Sequence, residues 1–318
     1  AALPFAAPIR RMWLVLVNPE RPEGFFALFK VPGVSSAHAL SAAKGILQAD
    51  KVGFLGTLDV PAMGVLPIAV GSATRLISFL PSTDKEYVGE LVLGVSTVTD
   101  DMEGEPTGRP GARGFSDDTV RRAIEVVAAR TEQVPPHVSA KRRDGVRGYD
   151  AVRGEGHFID FSPVPVSVRR LALLRDVEDA DLRRVTFRMT VTPGFYVRGF
   201  CRDVGFVLGC GACMGRLLRT SAHGFGIGDT LSLVTLRRRV QARDFTFLVP
   251  GDTSPALLGA LPRISLDDMQ WADFCHGLVV DSAMGSATTV LVTRPDGRLG
   301  GVAGVREGRA WPLKVFAA

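Results

Sequence analysis

VTFRMTVTPGFYVRGFCRDVGFVL, residues 185–208, changes period halfway along. In its first part Val185, Phe187, Met189 and Val191 alternate with Thr186, Arg188 and Thr190, the two-residue repeat of a strand with one buried face. Thr192-Pro193-Gly194 then makes a turn, and from Phe195 to Leu208 the residues Val197, Cys201, Val204 and Leu208 recur at helical spacing. A strand that feeds a helix through a tight turn predicts a chain that mixes strands and helices. It also puts Tyr196 and Arg198 in the first turn of that helix, at a strand end, where a side chain can point into a cleft.

The rest of the chain extends this pattern. From Ser36 to Gln48, Leu40, Ala43 and Leu47 share one face behind Ser35 and Ser36 as capping residues, which predicts a helix. Tyr87 to Leu93 alternates like a strand, and Ser116 opens a helix carrying Val120, Ile124, Val127 and Ala128. Two stretches rich in Gly, Pro and charge are expected to be exposed loops: DDMEGEPTGRPGARG (100–114) and VPPHVSAKRRDGVRGYDAVRGEG (134–156). The second gathers Lys141, Arg142, Arg143, Arg147 and Arg153 around Tyr149, a mixture suited to a phosphate backbone and a stacked base, and equally to a solvated charged loop. VPGDTSPALLGALP (249–262) is expected to be a linker, followed by a short helix with a capping box from Ser265 and Asp268, a strand TTVLVT and a turn at Asp296-Gly297. The expected division is an extension over 1–22, a main domain over 23–250 and a small β-rich domain over 251–318.

The 318 residues are 46% hydrophobic and 22% charged, an ordinary globular composition, and the net charge of +5 favours polyanionic partners. Four cysteines are too few for a disulfide scaffold, so a reducing cytoplasm is expected. Cys210 and Cys213 have C-x-x-C spacing, but no second pair follows at the distance a zinc site needs. MWLVLV (12–17) is too short to span a bilayer, and no membrane association is expected. The Walker, G-x-S-x-G and H-E-x-x-H motifs are absent, which argues against nucleotide hydrolysis and zinc hydrolase chemistry.

GFLGTLDVPAMG (53–64) holds one carboxylate, Asp59, among glycines and apolar residues. A carboxylate there is either wetted by solvent in a turn or paired with a group from far along the chain, because burial without a partner is costly. One acid alone does not make a glycosidase, which needs two.

KVPGVSS (30–36), GTLDVPAMGVLPIAVGSATRL (56–76), DKEYVGELVLG (84–94), the 134–156 stretch and GFYVRGFCRDVG (194–205) together resemble, in order and spacing, the TruB family of bacterial tRNA pseudouridine-55 synthases. The resemblance implies an α+β fold, the pseudouridine synthase fold with a mixed, largely antiparallel sheet and flanking helices, and GRLGGVAGV resembles part of the small RNA-binding PUA domain that follows. It implies an isomerase acting on the T-loop uridine of tRNA. Asp59 stands at the family's nucleophile, Arg198 at the arginine that pairs with it, and Tyr87 at the tyrosine that stacks on the base. Phe54, Tyr196, Leu217, Lys30, Lys141, Arg142, Arg143 and Arg147 are the expected substrate contacts. No metal, cofactor or protein partner is implied, and a monomer is expected. Phe54 departs from the usual family histidine, and Pro32 and Pro61 each stand one residue later than the family prolines. These departures motivate an alternative, a tRNA-binding protein that assists folding with weak or lost catalysis.

Overall fold

The computed structural model describes residues 22–108, 111–112, 114–137, 142–143, 146–147, 161–179, 182–251 and 261–316. Residues 1–21 of the expected extension, 252–260 of the expected linker, and Lys141, Tyr149 and Arg153 lie outside the described residues.

A nine-stranded sheet forms the larger unit. Its strands are β1 (Gly24–Lys30), β2 (Val52–Phe54), β3 (Met63–Val70), β4 (Lys85–Leu93), β5 (Val168–Asp179), β6 (Leu182–Val191), β7 (Ala212–Ala222), β8 (Phe225–Gly226) and β9 (Thr230–Leu231). The order is β5-β6-β4-β7-β3-β1-β9, with β2 on β3 and β8 on β7. Only β7 with β3 and β9 with β1 run parallel, so the sheet is mixed and largely antiparallel, as expected. Strand β7 is inserted between β3 and β4, which are successive in the sheet's chain order.

Alternation sets two faces. On one, Phe26, Leu28, Leu66, Ile68, Leu91, Val185, Phe187 and Met189 form a core with α1 (Ser36–Leu47), α2 (Asp117–Ala128), α3 (Val197–Leu208) and α4 (Leu233–Gln241). Ser35 and Ser116 cap α1 and α2 by accepting from the backbone N–H of His38 and Thr119, satisfying donors at the helix starts. On the other face Phe25, Ala27, Val65 and Ala69 pack against Leu291, Val302 and Phe316 of the C-terminal unit. That double burial explains why β1, GFFALFK, is apolar without alternation.

The C-terminal unit is a curled five-stranded sheet: β10 (Arg263–Ser265), β11 (Val280–Asp281), β12 (Ala287–Thr293), β13 (Leu299–Arg306) and β14 (Arg309–Val315), in the order β10-β12-β13-β14-β11. Its own core surrounds Phe274 of α5 (Asp268–Cys275). The expected capping box is displaced: Ser265 ends β10, and the box is made by Asp267 and Gln270, because the backbone leaves extended geometry only at Asp267. No helix among the described residues is long and apolar enough to cross a membrane.

Candidate active site

Asp59 lies in the loop that returns β2 to β3, and the loop is tied down at almost every residue. Leu55 N donates to Pro67 O at 2.9 Å, and Gly33 N donates to Val60 O at 2.9 Å. Ser36 Oγ both donates to Leu58 O and accepts from Leu58 N, each at 2.9 Å. Lys30 is 1% exposed, and its ammonium donates to Val31 O, Val34 O and Val60 O. The ammonium of Lys30, an expected substrate contact, thus ties β1 to the Asp59 loop through backbone carbonyls. Arg219, fully buried, donates to Val65 O, Thr57 O and Gly56 O at 2.8, 3.1 and 3.2 Å. Gly64 permits this approach: its φ is +112°, and a Cβ there would lie 2.2 Å from Arg219 O.

The partner Asp59 lacks in sequence comes from 139 residues away. Arg198 Nε donates to Asp59 Oδ2 at 2.8 Å, and Arg198 Nη1 donates to Thr99 O at 2.9 Å. Arg198 is 2% exposed and Asp59 27%, so a buried cation holds a partly exposed carboxylate. Arg198 sits in the first turn of α3, which has no acidic residue of its own and where a cation opposes the helix dipole. Carboxylates from other segments offset this. Asp101 Oδ2 lies 3.9 Å from Arg198 Nε, and Asp100 Oδ2 accepts from Arg202 Nη1 at 3.1 Å. Asp100 has φ +59°, a turn that aims the two neighbouring carboxylates at different arginines. Burial raises the Asp100 carboxyl above its ordinary range, against the pull of Arg202 and Arg198. The start of the expected exposed loop is therefore folded inward, with Asp101 6% exposed, because Arg198 and Arg202 need counter-charges, and Ala112 near its end is buried as well.

Tyr87, Leu217 and Arg219 share the helix-side face of the sheet, with Tyr87 opposite Arg219 across β4 and β7 and Leu217 opposite Gly89. Tyr87 is 8% and Leu217 5% exposed. Burial raises the Tyr87 phenol above its usual value, although its hydrogen bond and proximity to Arg219 pull the other way. Lys85 follows on the same face, opposite Ala222, and burial and Arg219 lower its pKa. Burial, Lys85 and Arg219 push the His223 ring down to about 4, so it is neutral near pH 7.

Tyr196 is the N-cap residue of α3, half-buried, and its backbone N and O pair with the side-chain amide of buried Gln133 at 2.8 and 2.9 Å. Phe54 is half-buried on β2 and packs toward the helix-side core. Arg142 and Arg143 pair with Arg147 and Val146 in a two-stranded ladder. Sequence reasoning missed Asp100, Asp101, Lys85, Gln133 and Arg219. Arg219 alone left a signal, as a charge two residues from Leu217 at an inward strand position. The four cysteines are free, and among the described residues no cluster of His, Cys, Asp or Glu is arranged to hold a metal.

Known proteins resemble this chain over most of its length. A family profile described as TruB family pseudouridylate synthase (N terminal domain) matches residues 44–197. The chain is 34% identical over 295 residues to a protein named tRNA pseudouridine synthase B from a Nostoc species, covering 92% of this chain and 98% of the relative. A protein of the same name from Aromatoleum aromaticum is 35% identical over 270 residues, covering 85% of each. Among solved structures, the fold is similar to a crystal structure of a Cbf5-Nop10-Gar1 complex, with a TM-score of 0.67 and 22% identity over 92% of this chain and 84% of that one. Identity at this level over almost the full length of both sequences shows that the chain belongs to the TruB family of pseudouridylate synthases.

Proposed function

We propose that this chain isomerises uridine 55 in the T-loop of tRNA to pseudouridine, with Asp59 as the nucleophile. The observation that carries the reading is the partly exposed carboxylate of Asp59, held at 2.8 Å by buried Arg198. A nucleophilic carboxylate must stay ionised while water is excluded, and a fixed cation reconciles the two demands. Asp59 attacks the uridine or its ribose as the N1 glycosidic bond breaks; the base turns, a bond forms from C5, and the proton leaving C5 is matched by one gained at N1. The reaction is redox-neutral overall, and Tyr87 with Leu217 forms an apolar and aromatic surface for a base taken out of its stack. The raised Tyr87 pKa favours stacking over proton abstraction by a phenolate. The names of the curated relatives support tRNA as substrate.

On the same reading, residues 23–250 are the catalytic domain and 251–318 a PUA-like RNA-binding domain, supported by their separate sheets and cores. The Lys141 to Arg153 segment contacts the tRNA backbone.

Incubating the protein with an unmodified tRNA transcript, followed by carbodiimide treatment and primer extension, tests the proposal. One stop at the T-loop uridine, lost in Asp59→Asn while tRNA binding persists, is the expected result. Pseudouridine formed by Asp59→Asn would overturn the nucleophile. Binding with no stop would favour the tRNA-folding role, with Phe54→His as the restoring change to try.

A further inference from the structure

Lys85 is a half-buried lysine with cations around it. It faces the same side of the sheet as Tyr87 and Arg219, at the start of β4. Among the described residues it makes no hydrogen bond or ion pair, and the charged groups that act on it and on its neighbour His223 are basic. The nearby carboxylates are turned elsewhere: Glu86 accepts from Thr220 on the opposite face, Asp84 pairs with Arg169 at 3.7 Å, and Asp59 is bonded to Arg198.

The Asp59 loop passes directly beside this charge. A Cβ added at Gly56 would lie 3.6 Å from Lys85 Nζ and 3.9 Å from Arg219 Nη1, so both cations border the backbone three residues before Asp59. Each nitrogen of Arg219 already donates to a carbonyl, so Arg219 supplies positive potential and Lys85 supplies free donors. The neutral His223 ring, with no side-chain hydrogen bond among the described residues, adds a ring N–H. Partly desolvated positive charge of this kind is unfavourable until an anion arrives.

We propose that Lys85, in the field of Arg219 and beside His223, binds a phosphodiester flanking the uridine that enters the cleft. The proposal rests on the function proposed above. Lys85 and Tyr87 are two residues apart on one face, roughly 7 Å along the strand, so one side chain takes the base while the other takes backbone next to it. Lys85 is thus a binding residue that helps hold the nucleotide extruded, where an uncharged side chain would serve as well if its role were packing alone.

The test uses a T-stem-loop RNA in which a single uncharged methylphosphonate replaces the phosphate 5′ or 3′ of the target uridine. Binding and single-turnover rates are measured for the wild type, Lys85→Gln and Lys85→Arg. One of the two replacements is expected to weaken wild-type binding on the order of tenfold and to leave Lys85→Gln unchanged, with Lys85→Arg behaving like wild type. Lys85→Gln should also lower the salt slope of log K by about 0.7 to 0.9. Wild-type binding indifferent to both replacements overturns the proposal, as does an equal loss in Lys85→Gln. If Lys85→Gln does not fold, Lys85→Met takes its place in the same comparison. Pseudouridine formed normally on every RNA removes only the Lys85 proposal, whereas none formed on the unmodified RNA removes the functional reading beneath it.

Discussion

Replacing Arg198 with Met removes the cation that faces Asp59 and Asp101, and the cost is set by what it strands. Two unit charges about 4 Å apart attract by about 4 kcal/mol at an effective dielectric constant of about 20, before the guanidinium's desolvation offsets part of the gain. Arg198 is almost fully buried, while Asp59 keeps 27% of its side-chain surface and so some solvent screening. The loss also leaves Thr99 O without its 2.9 Å donor. Arg198→Met should therefore lose about 3 to 5 kcal/mol of stability. Asp59→Asn should lose about 1 kcal/mol, because the amide oxygen still accepts from Arg198. In the double variant the two losses should fail to add by on the order of 2 kcal/mol. Urea unfolding near pH 7.5 measures this, followed by far-UV circular dichroism because the described tryptophans, Trp271 and Trp311, both belong to the C-terminal unit. A coupling below about 0.5 kcal/mol would refute the view that this ion pair holds Asp59 in place.

Gly64→Ala should destabilise the protein by more than about 3 kcal/mol, read as a lower urea midpoint, since its Cβ meets Arg219 O at 2.2 Å and its φ is +112°. His223 has a folded pKa of about 4 against an ordinary value of 6.5, so the unfolded chain binds more protons between these limits. Its contribution to stability is complete above about pH 6.5 and falls toward pH 4; His223→Gln should flatten that part of the stability profile, and an unchanged profile would count against a neutral ring. Charge removal at Arg142 and Arg143 should weaken tRNA binding and make its salt dependence shallower, measured by filter binding across a salt series. Gln133→Ala should lower turnover more than tRNA affinity, because Gln133 pins the backbone of Tyr196 two residues from Arg198.

The elements legible in the sequence are those with one buried face and clean ends. β6, α1 and α2 show their period and their capping serines, and the structure puts them where that pattern predicts. β5 was not legible. It is an edge strand with register shifts at Val168/Arg170 and Leu173/Arg175, so its apolar residues do not alternate cleanly and half its surface is charged. The site divides similarly. Asp59 and Arg198 stood out through their motifs, but no local pattern could reveal that Asp100 and Asp101 turn inward, because their burial depends on Arg198 and Arg202 arriving from another element. The burial of Lys30 was hidden for the same reason: the carbonyls of Val34 and Val60 converge on it only once the loop has closed.

The insertion of β7 between β3 and β4 imposes an order of assembly. β3 and β4 are made early in synthesis, yet each leaves an open edge until residues 212–222 emerge and fill the slot between them. A nascent chain halted before that point carries Asp59 and Tyr87 but lacks Arg219, which fastens the Asp59 loop, and Arg198 has no completed floor to rest on. The site is therefore complete only once β7 is in place, and a protein cut short between β6 and β7 exposes two sheet edges rather than forming a partly working enzyme.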